Sequence, residues 1–142
     1  MLQLIGFGLG QITHSNHVWY HSLYKSSLTP LDVVFSVVWT ALYVLIALVG
    51  NFFWRYRDEP KAKVMWNLYI IQLLLNWAWT IIFFGCHLVA LAFLLIVVMI
   101  LINMNIILKA KKKYYFAANM MIPYTLWLAF AGYLNFMIWK LN

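Results

Sequence analysis

The chain has 142 residues, of which 66% are hydrophobic and only 9% are charged. Soluble domains are roughly half apolar and a quarter charged, so this composition excludes an ordinary water-soluble domain and indicates a protein embedded in a lipid bilayer. The net charge of +7 does not indicate a nucleic-acid partner, because the Lys and Arg residues stand in short clusters between hydrophobic runs instead of forming a binding face.

Five apolar segments follow one another along the chain. A span of the hydrocarbon core needs about 20 mostly apolar residues, and segments 33–54, 64–84, 88–108 and 115–139 meet this length. The first segment, 1–13, is short for a span and is followed by a polar, aromatic stretch. We therefore predict an all-α fold, an integral membrane bundle of five transmembrane helices with a short first helix, forming a single domain over residues 1–142. The turn at Gly85-Cys86-His87 is so short that the third and fourth helices should be antiparallel neighbours.

The basic residues are divided unevenly between the two ends of this bundle. With alternating spans, the loops after the second and fourth segments lie on one side and contain eight basic residues: Arg55, Arg57, Lys61, Lys63, Lys109, Lys111, Lys112 and Lys113. The other side has only Lys25 and Lys140. The positive-inside rule then predicts a multi-pass protein whose basic loops face the cytoplasm.

The sequence offers few groups for acid–base chemistry within the membrane. Its acidic residues are Asp32, at the start of the second segment, and Asp58 with Glu59 in a loop. Proton-coupled exporters usually place a carboxylate within the bilayer, so their mechanism is not favoured, and no motif predicts a catalytic residue. The single cysteine, Cys86, excludes an internal disulfide and a cysteine-based metal framework.

Three histidines, His14, His17 and His21, have an i, i+3, i+7 spacing. On a helix they would share one face and could bind a metal or a haem iron. The alternative is a polar interfacial loop, which we favour because no Cys, Asp or Glu stands near them in the sequence. We therefore predict no metal site.

Polar amides within the apolar segments are more informative. Gln72 and Asn76 lie four residues apart and therefore share a helix face. In hydrocarbon each amide must find a hydrogen-bond partner, so both should point into the bundle. Asn103, Asn105, Asn119 and Asn135 are further candidates for such bonds between helices.

Four of the eight tryptophans, Trp39, Trp77, Trp79 and Trp127, lie well within the apolar segments. Aromatic rings inside a bundle either fill space or line a pocket that stacks a flat apolar ligand. From the composition alone, both interpretations stay open.

Three ordered motifs resemble one known family. The stretch from Trp19-Tyr20 through Pro30 and Trp39 to Tyr43 is similar to the pattern WYxxLxKPxxxPPxxxFxxxWxxLY, although Ser26 and Leu31 replace two of its prolines. Residues 72–85 resemble QLxLNxxWxxxFFG, and residues 123–139 resemble PYxxWxxxAxxLNxxxW. Together they resemble the TspO/MBR family of tryptophan-rich sensory proteins and translocator proteins.

The resemblance implies a membrane receptor or binding protein for porphyrins, such as protoporphyrin IX, and for drug-like isoquinolines and benzodiazepines. Its role would be tetrapyrrole sensing, transport or disposal, with the porphyrin as ligand and no separate cofactor. The family pattern places seven residues at the ligand pocket: Tyr20, Pro30, Trp39, Asn76, Trp79, Trp127 and Ala131.

Further expectations follow from the same resemblance. Family members commonly form homodimers, and a bacterial cell membrane is the expected location, in preference to a mitochondrial outer membrane. One alternative function is a light-dependent porphyrin-degrading enzyme, for which Trp39 and Trp127 would be the candidate residues. A small-molecule exporter is a further alternative.

Overall fold

The structure, a computed structural model, describes residues 11–142, so most of the first predicted segment lies outside the described residues. Every regular element within the described part is helical, which confirms the all-α prediction there. Residues 11–15 are helical, and five longer elements follow: α1 (His17–Ser22), α2 (Asp32–Arg55), α3 (Pro60–Thr80), α4 (Val89–Ala110) and α5 (Tyr115–Leu141). A π-helical turn, Ile81–Gly85, continues α3. The count of five spans stays a prediction.

Within residues 11–142, four helices are long and apolar enough to cross a membrane: α2, α3 together with its π-helical turn, α4 and α5. α2 ends and α3 begins at the charged cluster 55–63, and α4 ends at the basic run 109–113, as the sequence predicts. Pro60 occupies the first turn of α3, where its missing N–H costs no hydrogen bond. The chain is therefore a multi-pass integral membrane protein.

The four long helices close into a ring. α4 packs against α3 and α5, and α2 packs against the same two helices; α3 and α4 are the adjacent pair that their short connection predicts. At one crossing Gly50 of α2 faces Tyr69 of α3, where a Cβ would lie only 2.5 Å from the tyrosine hydroxyl oxygen. That hydroxyl donates to the carbonyl oxygen of Ile46 at 3.0 Å. Glycine is needed at this position because the ring and the α2 backbone approach so closely.

Buried polar side chains join three of these helices in the interior. The Tyr124 hydroxyl of α5 donates to Gln72 Oε1 at 2.9 Å and accepts from Asn76 Nδ2 at 3.1 Å. Asn76 Oδ1 in turn accepts from the Tyr43 hydroxyl of α2 at 2.9 Å. The prediction that Gln72 and Asn76 point into the bundle is confirmed.

The remaining asparagines divide between interior and surface. Asn135 joins helices as expected, because it accepts from Trp79 Nε1 at 3.1 Å and donates to the carbonyl oxygen of Val89 at 2.8 Å. Asn103 is fully buried, but neither of its amide atoms has a partner among the described residues. For Asn105 and Asn119 the prediction is wrong: both are exposed. Each lies within about a turn and a half of a helix end next to the basic loops, where water and lipid head groups can satisfy an amide.

An ion pair joins two helix ends beside the basic loops. Glu59, before α3, accepts a hydrogen bond from Lys113 Nζ at 2.6 Å and another from the Tyr114 hydroxyl, both of which precede α5. These bonds hold the pKa of Glu59 below its usual value. The contact therefore contributes to stability above the ordinary carboxylate range and is lost as the pH falls through the lowered pKa.

We expect Tyr124→Phe to destabilise the bundle by about 1–2 kcal/mol, because the amides of Gln72 and Asn76 each lose a buried partner. The midpoint of thermal unfolding in detergent measures this. The matched control is Tyr115→Phe on the same helix, where the ring is 68% exposed. Equal midpoints for the two variants would contradict the structural role of the Tyr124 hydroxyl.

Cys86 provides a test of orientation, because it is the single cysteine of the chain and is exposed in the α3–α4 turn. This turn lies at the opposite end of α3 from the basic loop that precedes Pro60. A membrane-impermeant maleimide should therefore label Cys86 in intact cells. In a Cys86→Ala background, Asp58→Cys should be labelled only after permeabilisation, and the reverse pattern would show the opposite orientation.

Candidate functional site

A cavity of about 730 Å³ opens within the bundle at the end remote from the basic loops. It is bounded by the first two thirds of α2, the end of α3 and the end of α5, and residues Thr13, His14, His17 and Tyr20 also line it. Small-molecule sites in proteins usually enclose about 300–1,000 Å³. The cavity is therefore large enough for a sizeable organic ligand.

One wall of the cavity is a cluster of aromatic rings at the end of α3. Trp79 stacks on Phe83 with ring centroids 5.2 Å apart and an angle of 19° between the planes. Phe84 meets Phe83 edge-on at 4.8 Å, and Tyr20 of α1 packs against Phe84 at 5.6 Å. Rings arranged in this way present a broad apolar surface with polarizable faces to whatever occupies the cavity.

The π-helical turn explains why neighbouring phenylalanines take part. Phe83 and Phe84 both belong to the turn Ile81–Gly85 and both line the cavity, together with Trp79 one turn earlier. A π-helical turn adds a residue to the helical repeat and so changes the angle between successive side chains. Such turns are frequent at functional sites, and this one widens the aromatic wall.

A second wall is formed by α2. Trp39 and Tyr43 lie one turn apart on this helix, both line the cavity, and their ring centroids are 5.7 Å apart. Trp39 is only partly buried, and its indole N–H has no hydrogen-bond partner among residues 11–142. It is a donor that a ligand can use.

The amides at the cavity are already engaged. Asn76 bonds to Tyr43 and Tyr124, and Asn135 bonds to Trp79 and the backbone of Val89. These side chains therefore hold the walls in place, and each amide keeps one N–H and one carbonyl lone pair beyond these bonds. For Asn76 these bonds favour a structural role, hydrogen bonding between helices, which the sequence also allowed.

The mouth of the cavity is polar. His14, His17 and Asp32 contribute to its lining, and Lys25 Nζ lies 4.4 Å from the centre of the Tyr20 ring while donating to the Tyr20 carbonyl oxygen at 2.9 Å. Burial, together with the nearby charge of Asp32, raises the pKa of the Tyr20 hydroxyl above its usual value. Tyr20 is therefore neutral at physiological pH.

Five of the seven predicted pocket residues lie at the cavity: Tyr20, Trp39, Asn76, Trp79 and Ala131. Pro30 and Trp127 are not among the residues that line it. Trp127 packs behind the wall, with its ring 5.5 Å from that of Phe35, which does line the cavity. The Trp127 indole N–H is buried without a partner among the described residues.

Other lining residues, among them Tyr43, Phe83 and Asn135, were not predicted from the sequence. All three stand inside the quoted motifs, so the signal was present. Helix periodicity would have identified two of them. Asn135 is four residues after Ala131, and Tyr43 is four residues after Trp39, so each shares a helix face with a residue already assigned to the pocket.

The fold and the cavity together define a multi-pass membrane protein with an aromatic-lined cavity between its helices. The family model of the TspO/MBR family matches residues 1–140 of the chain. The chain belongs to the TspO/MBR family, as its motifs indicated.

Individual relatives agree with this assignment. The tryptophan-rich protein TspO of Chlorobaculum tepidum is 34% identical over 146 residues, covering 97% of this chain and 89% of that protein. The human translocator protein is 34% identical over 129 residues, covering 87% and 75%. Protein CrtK of Rhodobacter capsulatus is 32% identical over 125 residues, covering 87% and 78%.

Substitutions of two alanines of α5 test whether free space exists beside Ala131. Ala131 lines it, whereas Ala118 lies in the packed core of the same helix. Ala131→Phe should unfold near the native midpoint because the new ring enters the void, while Ala118→Phe should cost about 1–3 kcal/mol through overpacking. Thermal unfolding in detergent distinguishes them, and an equal loss for both would show that no space exists beside Ala131.

Proposed function

We propose that this protein binds porphyrins in the cavity and acts in their sensing, transport or disposal. The observation that carries the proposal is the 730 Å³ cavity with aromatic rings on two sides, Trp39 and Tyr43 on α2 and Trp79 with Phe83 on α3. A porphyrin is a flat aromatic macrocycle, and its faces are apolar. Aromatic rings on two walls of a cavity suit such a guest because they can stack on its flat faces and shield them from water or lipid.

The polarity of the cavity supports one orientation of the guest. Protoporphyrin IX has carboxylates on one edge, and the described part of the cavity is apolar in its depth and polar at its mouth. Tyr20, His14 and His17 line that mouth, and the cationic Lys25 Nζ lies 4.4 Å from the centre of the Tyr20 ring. The macrocycle therefore enters first, with its carboxylates toward the membrane surface, where their charge stays hydrated.

The same proposal includes the orientation of the protein, its membrane, its oligomeric state and its further ligands. The charge bias supports cytoplasmic basic loops, and membership of the family supports a homodimer in a bacterial cell membrane that also accepts drug-like ligands.

Tryptophan replacement tests the binding site. Addition of protoporphyrin IX to the purified protein should quench its tryptophan fluorescence, and Trp39→Phe should weaken binding by at least about 1 kcal/mol, or roughly fivefold. Trp127→Phe should weaken it less, because Phe35 stands between that ring and the cavity. The matched control is Trp139→Phe on the outer surface, where the ring is 50% exposed.

Affinity that is unchanged in the Trp39 variant, or lowered equally in the Trp139 variant, would contradict binding in this cavity. Filling the cavity provides an independent check. Ala131→Phe should abolish quenching if the guest occupies the void, and retained quenching in that variant would place the porphyrin elsewhere on the protein.

One observation favours the enzymatic alternative enough to test it in the same samples. Trp39 lines the cavity within 5.7 Å of the Tyr43 ring, so an oxidisable pair faces the guest. Illumination of the complex in the presence of oxygen should then give a new absorbance band that requires Trp39. Photobleaching at the rate seen in empty detergent micelles would leave binding as the function.

A further inference from the structure

Three potential metal ligands meet at the mouth of the cavity. His17 Nε2 lies 2.9 Å from His21 Nε2, and each of these nitrogens lies 3.1 Å from the same oxygen, Asp32 Oδ2. The three side chains are between 46% and 57% exposed, so an ion reaches them from solvent without opening the fold.

Helical geometry and chain reversal bring these groups together. The segment His17–Ser22 forms α1, against our expectation of a loop, so His17 and His21 lie four residues apart on one face. Residues 23–31 then return the chain so that Asp32, the first residue of α2, stands beside both rings. No metal site was predicted from the sequence because no carboxylate stands close to these histidines along the chain. Asp32 follows His21 by 11 residues and His17 by 15 residues.

Hydrogen bonds alone do not satisfy this triangle. An ionised Asp32 only accepts, and each imidazole Nε2 either donates or accepts according to its tautomer. If both nitrogens donate to the carboxylate, two donors face each other at 2.9 Å. If only one donates, the other nitrogen faces the carboxylate with a lone pair against a lone pair. Every arrangement of protons with neutral imidazoles therefore leaves one unfavourable contact.

A divalent cation at the centre removes this conflict, because all three atoms then direct lone pairs at one positive charge. Zinc binds imidazole nitrogen at about 2.0–2.1 Å and carboxylate oxygen at about 2.0–2.2 Å. Ligand atoms at those distances are about 2.9 Å apart at a 90° angle and about 3.4 Å apart at the tetrahedral angle. The observed separations of 2.9, 3.1 and 3.1 Å fall within this interval.

We propose that His17, His21 and Asp32 form a binding site for a divalent transition-metal ion, with the chemistry of a Zn²⁺ or Fe²⁺ site. Two imidazoles and one carboxylate on one side of an ion are a donor set that both metals accept. The remaining coordination positions face water and the cavity, because His17 and Asp32 also line its mouth. The site is independent of porphyrin binding, since it needs only these three side chains.

Zn²⁺ titration of the purified, tag-free protein tests the site, with a chromophoric chelator as competitor. One Zn²⁺ per chain is expected to bind. The variants His17→Ala, His21→Ala and Asp32→Ala should each lose at least about tenfold in affinity, because even an outer-shell partner contributes about 10–100-fold. His14→Ala is the matched control: this histidine also lines the cavity mouth but is not part of the triangle.

Thermal unfolding supplies a second measurement. Zn²⁺ should raise the unfolding midpoint of the native chain and of the His14 variant, because the ion binds only the folded arrangement, and it should leave the three ligand variants unchanged. Without metal all the variants should unfold near the native midpoint, because the ligand side chains are exposed. Zn²⁺ affinity that survives the three substitutions, or falls equally in the His14 variant, would overturn the assignment.

Discussion

The constraint on which this structure depends is that a polar group in hydrocarbon must find its partner within the protein. Tyr124 meets that requirement for α3 by bonding to Gln72 and Asn76, and Asn76 extends the connection to Tyr43 of α2. Hydrogen bonds have direction, whereas lipid and aliphatic side chains exert no comparable control over helix rotation. The network therefore fixes the rotation of three helices, and with it the direction in which their aromatic residues point.

The two ends of the bundle use the same helix face differently. Toward the basic loops, α3 presents Tyr69 and Gln72 to its neighbours, and the helices close on them. Beyond Asn76, the same face continues as Trp79 and Phe83, and the helices surround a cavity instead of a packed core. A void of this size reduces the packing contacts of the residues that line it. The hydrogen-bonded half of the bundle therefore holds the helices in place around the cavity.

The spans and most of the interior polar residues were predictable from the sequence, because membrane thickness sets the length of a span and an amide within the membrane needs a hydrogen-bond partner. Gln72, Asn76 and Asn135 were predictable as interior amides, since a mid-span amide has no other partner. Asn105 and Asn119 were mispredicted, because distance from a helix end matters as much as residue type. The proximity of Asp32 to His17 and His21 could not be predicted from the sequence, since it depends on the path of residues 23–31. The position of Trp127 behind Phe35 likewise follows from helix rotation, which a motif does not encode.

The engagement of both cavity amides determines how selective this site is. Asn76 and Asn135 each use one N–H and one carbonyl lone pair on neighbouring groups. We therefore expect the interior to discriminate between guests by thickness and outline, with the Trp39 indole N–H, unpaired among residues 11–142, as its donor. A hydrophobic site rejects an unsuitable isostere weakly, whereas one with unpaired polar groups rejects it strongly. For the proposed guest such a recess is permissive: we expect chemically unrelated planar compounds to compete with a porphyrin for it, and a change in the bulk of a single wall residue to alter which of them fit.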